Sequence, residues 1–220
     1  MSRDADTPRL VFSPRAWLKW QFLCHAGPTE MGAFGLSSEH NPLHVEDLIV
    51  VQQTTTSVSV AFDDTAVADL FDEMADVGIP PKRFARLWLH THPGASVTPS
   101  GVDEDTLKRV FGACDWAVMA ILGRTGRTSA RLRFNAGPGG AIEIPTTVDW
   151  AAWPEFAMSY DLQHSVDIWQ TEYDRFVMPM NYFPDVAKSD AKTLSPVAAG
   201  FDAWLFGDDP FLPRVQNGYD

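Results

Sequence analysis

His90-Thr91-His92-Pro93, followed by Ser100 and Asp103, sets two imidazoles, a hydroxyl and a carboxylate within one short stretch. Alternate residues of a strand share a face, so His90 and His92 can offer two ring nitrogens to one ion. Pro93 cannot donate to a ladder and lets the chain turn away. Asp103, on the first turn of a helix beyond that loop, returns a hard oxygen. Two nitrogens and one carboxylate oxygen are a catalytic zinc set, in which the fourth tetrahedral position is left to water. Zinc lowers the pKa of such a water from ~16 towards ~7, making hydroxide available at neutral pH. One Zn2+ per chain is therefore expected on His90, His92 and Asp103.

The same residues admit plainer explanations. Ser100-Gly101-Val102-Asp103 is also a capping box, with Ser100 at the N-cap and Asp103 at N3. His90 and His92 could be satisfied polar residues at a strand end. A cap, however, requires nothing of the strand before it, and the four positions together favour a metal. The backbone bond of the cap could itself orient Asp103 as a ligand. His25, His40, His44 and His164 have no ligand spacing.

The elements that must position this stretch are legible in part. Ser13 caps and Pro14 starts a helix over residues 12–26, closed by Gly27-Pro28. Residues 30–36 predict a short strand whose glycines, Gly32 and Gly35, mark close backbone approach. A polar loop over 37–46 carries Glu39, His40, Asn41, Pro42 and His44. Residues 48–51 and 57–62 read as two strands. Asp63 or Asp64 caps a helix buried through Val67, Leu70, Phe71 and Met74. Residues 84–92 read as a strand with Phe84, Arg86, Trp88, His90 and His92 on one face. A helix over 101–112 is expected to bury Val102, Leu107, Val110 and Phe111. Residues 116–122 and 130–134 form a hairpin, 141–144 a last strand, and 161–177 a helix striped by Leu162, Val166, Trp169, Tyr173 and Phe176. Strands interleaved with amphipathic helices imply an α/β, mixed α+β class.

Composition changes near Pro145. A tail over 1–11, a domain over 12–145 and an acidic, aromatic-rich extension over 146–220 are expected. That extension carries Trp150, Trp153, Trp169 and Trp204 with six prolines. Residues 137–220 hold 13 acidic and 4 basic side chains, whereas residues 1–136 hold 16 and 13. A chain of net charge −12 lacks the basic face that binds phosphates, which excludes nucleic acid as a partner. Acidity of this kind serves solubility or attracts a basic protein surface. No apolar run reaches the ~18 residues of a membrane span, and no signal-peptide core is visible, so a cytoplasmic protein is expected. Only Cys24 and Cys114 are present, too few for a disulfide framework.

With these residues in hand, the chain resembles the JAMM (MPN-plus) zinc metalloproteases over roughly residues 12–145. Their signature, H-x-H-P-x(6)-S-x-x-D, is filled without a gap by His90, His92, Pro93, Ser100 and Asp103. The order of helix, strand, two strands, helix and strand before it is similar too. The resemblance implies a cytidine-deaminase-like central mixed sheet flanked by helices, and an upstream glutamate at the start of the first strand. Glu30 fits that place, with Ala33 and Ser37 at the family's small positions; Glu39 and Glu46 are its rivals. It further implies that Glu30 takes a proton from the attacking water and returns it to the leaving amine. Ser100 would hydrogen-bond the oxyanion. Gly32, Phe34, Pro93 and Thr98 would border the groove for an extended tail.

Family substrates are bonds after the C-terminal glycine of ubiquitin or a ubiquitin-like protein. The expected partners are thus a ubiquitin-like protein or its conjugate, with conjugation-pathway enzymes as further candidates. The short 37–46 loop is unlike eukaryotic members selective for linked ubiquitin chains, and the compact core looks like a bacterial member. Two other functions stay open: a non-catalytic interaction scaffold of the same fold, and a metallopeptidase acting on a sulfur-carrier protein or a small peptide.

Overall fold

The computed structural model describes residues 7–180. Residues 1–6 and 181–220, including part of the expected tail and most of the expected extension with Trp204, lie outside the described residues.

Ten of the strands and helices that matter most run in this order: β1 (Leu10–Phe12), α1 (Pro14–His25), β2 (Met31–Ser37), β3 (His44–Ile49), β4 (Gln53–Thr56), β5 (Ser59–Phe62), α2 (Asp64–Asp76), α3 (Pro81–Phe84), β6 (Leu87–His92) and α4 (Gly101–Phe111). They are followed by β7 (Trp116–Gly123), β8 (Thr128–Phe134), β9 (Gly140–Glu143), β10 (Thr146–Val148), α5 (Trp153–Ser159), α6 (Leu162–Phe176) and β11 (Val177–Pro179). A mixed eight-stranded sheet has the order β10-β1-β3-β2-β6-β7-β8-β9, and a three-stranded sheet has the order β11-β4-β5. The class is mixed α+β, as the sequence implies.

Local chemistry accounts for the helix starts. Ser13 accepts from the Ala16 amide with Pro14 at the first helical position, Asp63 accepts from Ala66, and Asp161 accepts from His164. Gly78, with φ of 74°, takes the left-handed conformation that closes α2.

Alternation along β2 and β6 builds the layer on which the site stands. Phe34 and Trp88 pack with Leu70 of α2, Phe84 of α3, and Leu107 and Phe111 of α4. The opposite face is covered by α1, which contacts β3, β6, β7 and α6. Close approach explains the β2 glycines. A Cβ on Gly35 would fall 2.8 Å from Leu87 Cβ, and one on Gly32 would fall 2.8 Å from Phe62 Cζ.

The structure corrects several local expectations. Phe84 ends the short helix α3, because Pro80-Pro81 starts a turn, and the strand begins only at Leu87. His44 opens β3 instead of lying in the loop. The polar run Gln53–Thr56 is a strand, paired with both β5 and β11. Val102 and Val110 are 48% and 39% exposed, since α4 turns Asp103, Leu107 and Phe111 inward instead.

Past Pro145 the chain stays with this unit. β10 pairs in parallel with β1, Trp169 of α6 is buried against Phe22 of α1, and β11 pairs with β4. Among the described residues, no helix is long and apolar enough to cross a membrane.

Candidate metal centre

His90 and His92 close β6, and both point to the face covered by α4. His90 is fully buried and stacks on Trp88, with ring centroids 4.5 Å apart. After Pro93 the chain loops out and returns at the start of α4. There Ser100 Oγ accepts from the Asp103 amide (3.2 Å), and the Ser100 amide donates to Asp103 Oδ2 (2.6 Å). The cap that the sequence offered as an alternative is therefore present, and it aims Asp103 at the strand. Asp103 Oδ1 lies 3.3 Å from His90 Nε2, and Oδ2 lies 3.6 Å from His92 Nε2.

These three residues, all buried, form a group that could bind a metal ion, with one donor atom of each within 4.8 Å of the others. A tetrahedral ion with bonds of 2.0–2.2 Å sets its ligand atoms roughly 3.3–3.6 Å apart, and the Asp103 carboxylate comes within that range of both rings, through a different oxygen for each. Polar bookkeeping agrees. Both ring nitrogens of His90 and Nε2 of His92 are buried without a hydrogen-bond partner in the protein, although buried polar groups are ordinarily satisfied. His92 Nδ1 lies 3.0 Å from the Ser96 carbonyl, which can only accept. That contact places a proton on Nδ1 and turns Nε2 towards Asp103, the outer bond usual for a ligating histidine.

Glu30 completes the cluster. It is 4% exposed, with Oε1 3.6 Å from His92 Nε2 and Oε2 without a partner. Glu39 and Glu46, the rival glutamates, lie elsewhere: Glu39 is exposed in the loop, and Glu46 pairs with Arg83. Burial pushes the Glu30 carboxyl up to about 7, with His92 opposing and Asp103 adding to the rise. Burial holds His90 below the usual imidazole value, against the pull of Asp103. His92 is raised, chiefly because its ring faces Asp103. Burial alone would raise Asp103, but the two facing imidazoles and the Ser100 amide hold it well below the ordinary carboxylate range. The centre thus contains a carboxylate held ionised, a carboxyl whose hold on its proton is strengthened, and two imidazoles.

A cleft of about 450 Å3 opens on it, lined by Glu30, Ser57, Val58, His92, Pro93, Gly94, Ser96 and Ser100. Of the residues expected at the groove, Pro93 lines it. Phe34 lies in the core, 2% exposed and stacked on Phe62. Gly32 is covered by Phe62 and Val60 and bonded by Gln53. Thr98 is exposed on the loop, its amide donating to Ser96 Oγ at 3.3 Å. Ser57 and Val58, which the sequence places in a strand over 57–62, form instead the β4–β5 turn, since β5 begins at Ser59, and that turn lines the cleft.

A comparison with protein-family models and with curated proteins finds no match to this chain.

Proposed function

We propose that this protein is a zinc-dependent isopeptidase or peptidase that cleaves after the C-terminus of a ubiquitin-like protein. The observation that carries the reading is Glu30, a buried carboxyl with a raised pKa, set beside a His-His-Asp donor set at the floor of an open cleft. A donor set that only held the fold together would have no use for a buried carboxyl with one oxygen left without a partner, nor for an accessible face.

His90, His92 and Asp103 would hold the zinc, which when bound supplies Lewis acidity to polarise a carbonyl and acidify water. Glu30 is placed to take a proton from the attacking water and pass it to the leaving nitrogen. A carboxyl near 7 can both accept and donate at neutral pH. Ser100 Oγ accepts from the Asp103 amide, so its own proton is free to be given to the oxyanion of the tetrahedral intermediate. Ser96 holds the tautomer of His92 through its carbonyl. Ser57, Val58, Pro93 and Gly94 border the space in which an extended tail would lie.

The decisive experiment is a chelator-sensitive cleavage assay on ubiquitin-like fusions. Glu30→Gln should keep stoichiometric metal and lose cleavage, whereas His90→Ala should lose both. Wild-type rates from Glu30→Gln would remove Glu30 as the base. Absence of stoichiometric zinc in purified protein would favour an interaction scaffold.

A further inference from the structure

Glu30 is aimed without help from any hydrogen bond to its own carboxylate, so the backbone that carries it decides where it points. That backbone is held by an unusual neighbour. β3 accompanies β2 only as far as the pair Phe34↔Ile49 and then diverges. Towards Glu30, the β2 edge turned away from β6 would be bare. The side chain of Gln53 takes the place of a strand there. Its Oε1 accepts from the Gly32 amide (2.8 Å), and its Nε2 donates to the Gly32 carbonyl (2.8 Å) and to the Val51 carbonyl (3.0 Å). Both donors of the amide are satisfied, and Gln53 is 1% exposed.

Two more contacts join the same strands. The Glu30 amide donates to the Thr56 carbonyl at 2.9 Å, and the hydroxyls of Thr29 and Thr55 meet at 2.8 Å in full burial. The polar composition of β4 is thus explained: its buried side chains, Gln53 and Thr55, both bond the segment 29–32. None of these contacts involves His90, His92 or Asp103, which belong to β6 and α4.

We propose that Gln53 is a positioning residue for Glu30, fixing the base through the Gly32 backbone independently of the metal ligands. This rests on the function proposed above, and it assigns to β4 the task of placing the base. Positioning errors of about 1 Å can cost on the order of a hundredfold in rate, so a defect in this clamp should appear in turnover.

The test compares wild type with Gln53→Leu, which keeps the volume and removes all three bonds, and Thr54→Val as a control on the other face of β4. Each is loaded with zinc. For Gln53→Leu we expect unchanged zinc stoichiometry and affinity, a kcat lowered roughly tenfold to a hundredfold, and a KM within about twofold. Crystal structures of the zinc-loaded proteins should show His90, His92 and Asp103 superposed and the Glu30 carboxylate displaced. If Gln53→Leu does not fold, Gln53→Asn, which is too short to bond both Gly32 groups, takes its place. Glu30 superposed on wild type with kcat unchanged would overturn the proposal, as would loss of zinc together with activity. A wild-type protein that cleaves no fusion would instead overturn the function, while the crystallographic comparison still decides the clamp.

Discussion

Glu30 stands directly across the β2–β6 ladder from His92. The pairs Gly32↔His90 and Met31↔Thr91 set the register, and one residue further it brings Glu30 Oε1 to 3.6 Å from His92 Nε2. Because the Gly32 amide and carbonyl are turned to Gln53, these are the close, non-hydrogen-bonded positions of an antiparallel pair, where opposed side chains approach nearest. The proposed base and a proposed ligand, some sixty residues apart, are neighbours because two strands share one register.

Ser100 serves both as helix cap and as proposed oxyanion donor, and one substitution separates the two. Ser100→Gly should cost only a few tenths of a kcal/mol in stability, since glycine is tolerated at N-caps. It should still lower kcat by about 10²–10³, the loss expected for one oxyanion donor. Urea titration and steady-state kinetics on the same preparation check it. Equal losses in both would leave the cap as its only role.

The metal-free protein should show an unusual dependence on pH. The Glu30 pKa rises on folding, to about 7, so its contribution to stability is full below about 4.5 and is lost as pH rises through 7. His92 is also raised and acts in the same direction above its ordinary value of 6.5. Asp103 is lowered, so its contribution is present above about 3.8 and is lost as pH falls. His90 is lowered by burial, so its contribution is present above about 6.5 and is lost as pH falls. Thermal melts of chelated protein should therefore fall on the acid side, where Asp103 and His90 act together, and above about pH 6.5, where Glu30 and His92 do. Glu30→Gln should flatten the decline towards neutrality, gaining on the order of 1–3 kcal/mol at pH 8. A chelated Glu30→Gln protein that melts like wild type across this range would refute the assignment.

Lys19 is a buried cation that joins α1 to β3 and α6. Its Nζ donates to the Leu48 carbonyl at 2.7 Å and lies 2.7 Å from Glu172 Oε2, with 7% of the side chain exposed. Without Glu172, Lys19 keeps only the Leu48 carbonyl and Asp47 Oδ1 at 3.8 Å, and breaking a buried pair in this way costs about 3 kcal/mol. Glu172→Leu should thus destabilise strongly, and adding Lys19→Met should recover part of the loss. Chemical denaturation of the two variants and their combination measures it. Additive losses would mean that the pair is not coupled.

Ending the chain at Pro145 should destroy the fold, not trim it. The cut removes β10 from the main sheet, β11 from beside β4, and Trp169, which is 1% exposed and lies 5.8 Å from the Phe22 ring. Trp169→Ala alone should cost about 3–5 kcal/mol. Cooperative unfolding of the 1–145 fragment in circular dichroism would show that the later elements are dispensable.

What the sequence determined by itself was whatever depends on short spacing. The two-residue period of a strand puts His90 and His92 on one face, and the four-residue frame of a capping box puts Asp103 at a helix start. Both follow from local backbone geometry, and so does the Ser13-Pro14 start of α1. Burial was less legible. Val102 and Val110 look like core residues, yet the rotation of α4 is set by Asp103, Leu107 and Phe111, and the two valines face outward. Phe34 could be read as a groove residue because nothing in its neighbours shows that Phe62 and Trp88 enclose it. Gln53 read as part of a connection, since a polar β-strand has no period to reveal it. Only the tertiary structure decided that Glu30 faces His92 and that β4 holds the segment between them. Both depend on strand register between segments far apart in the chain, which no local pattern encodes.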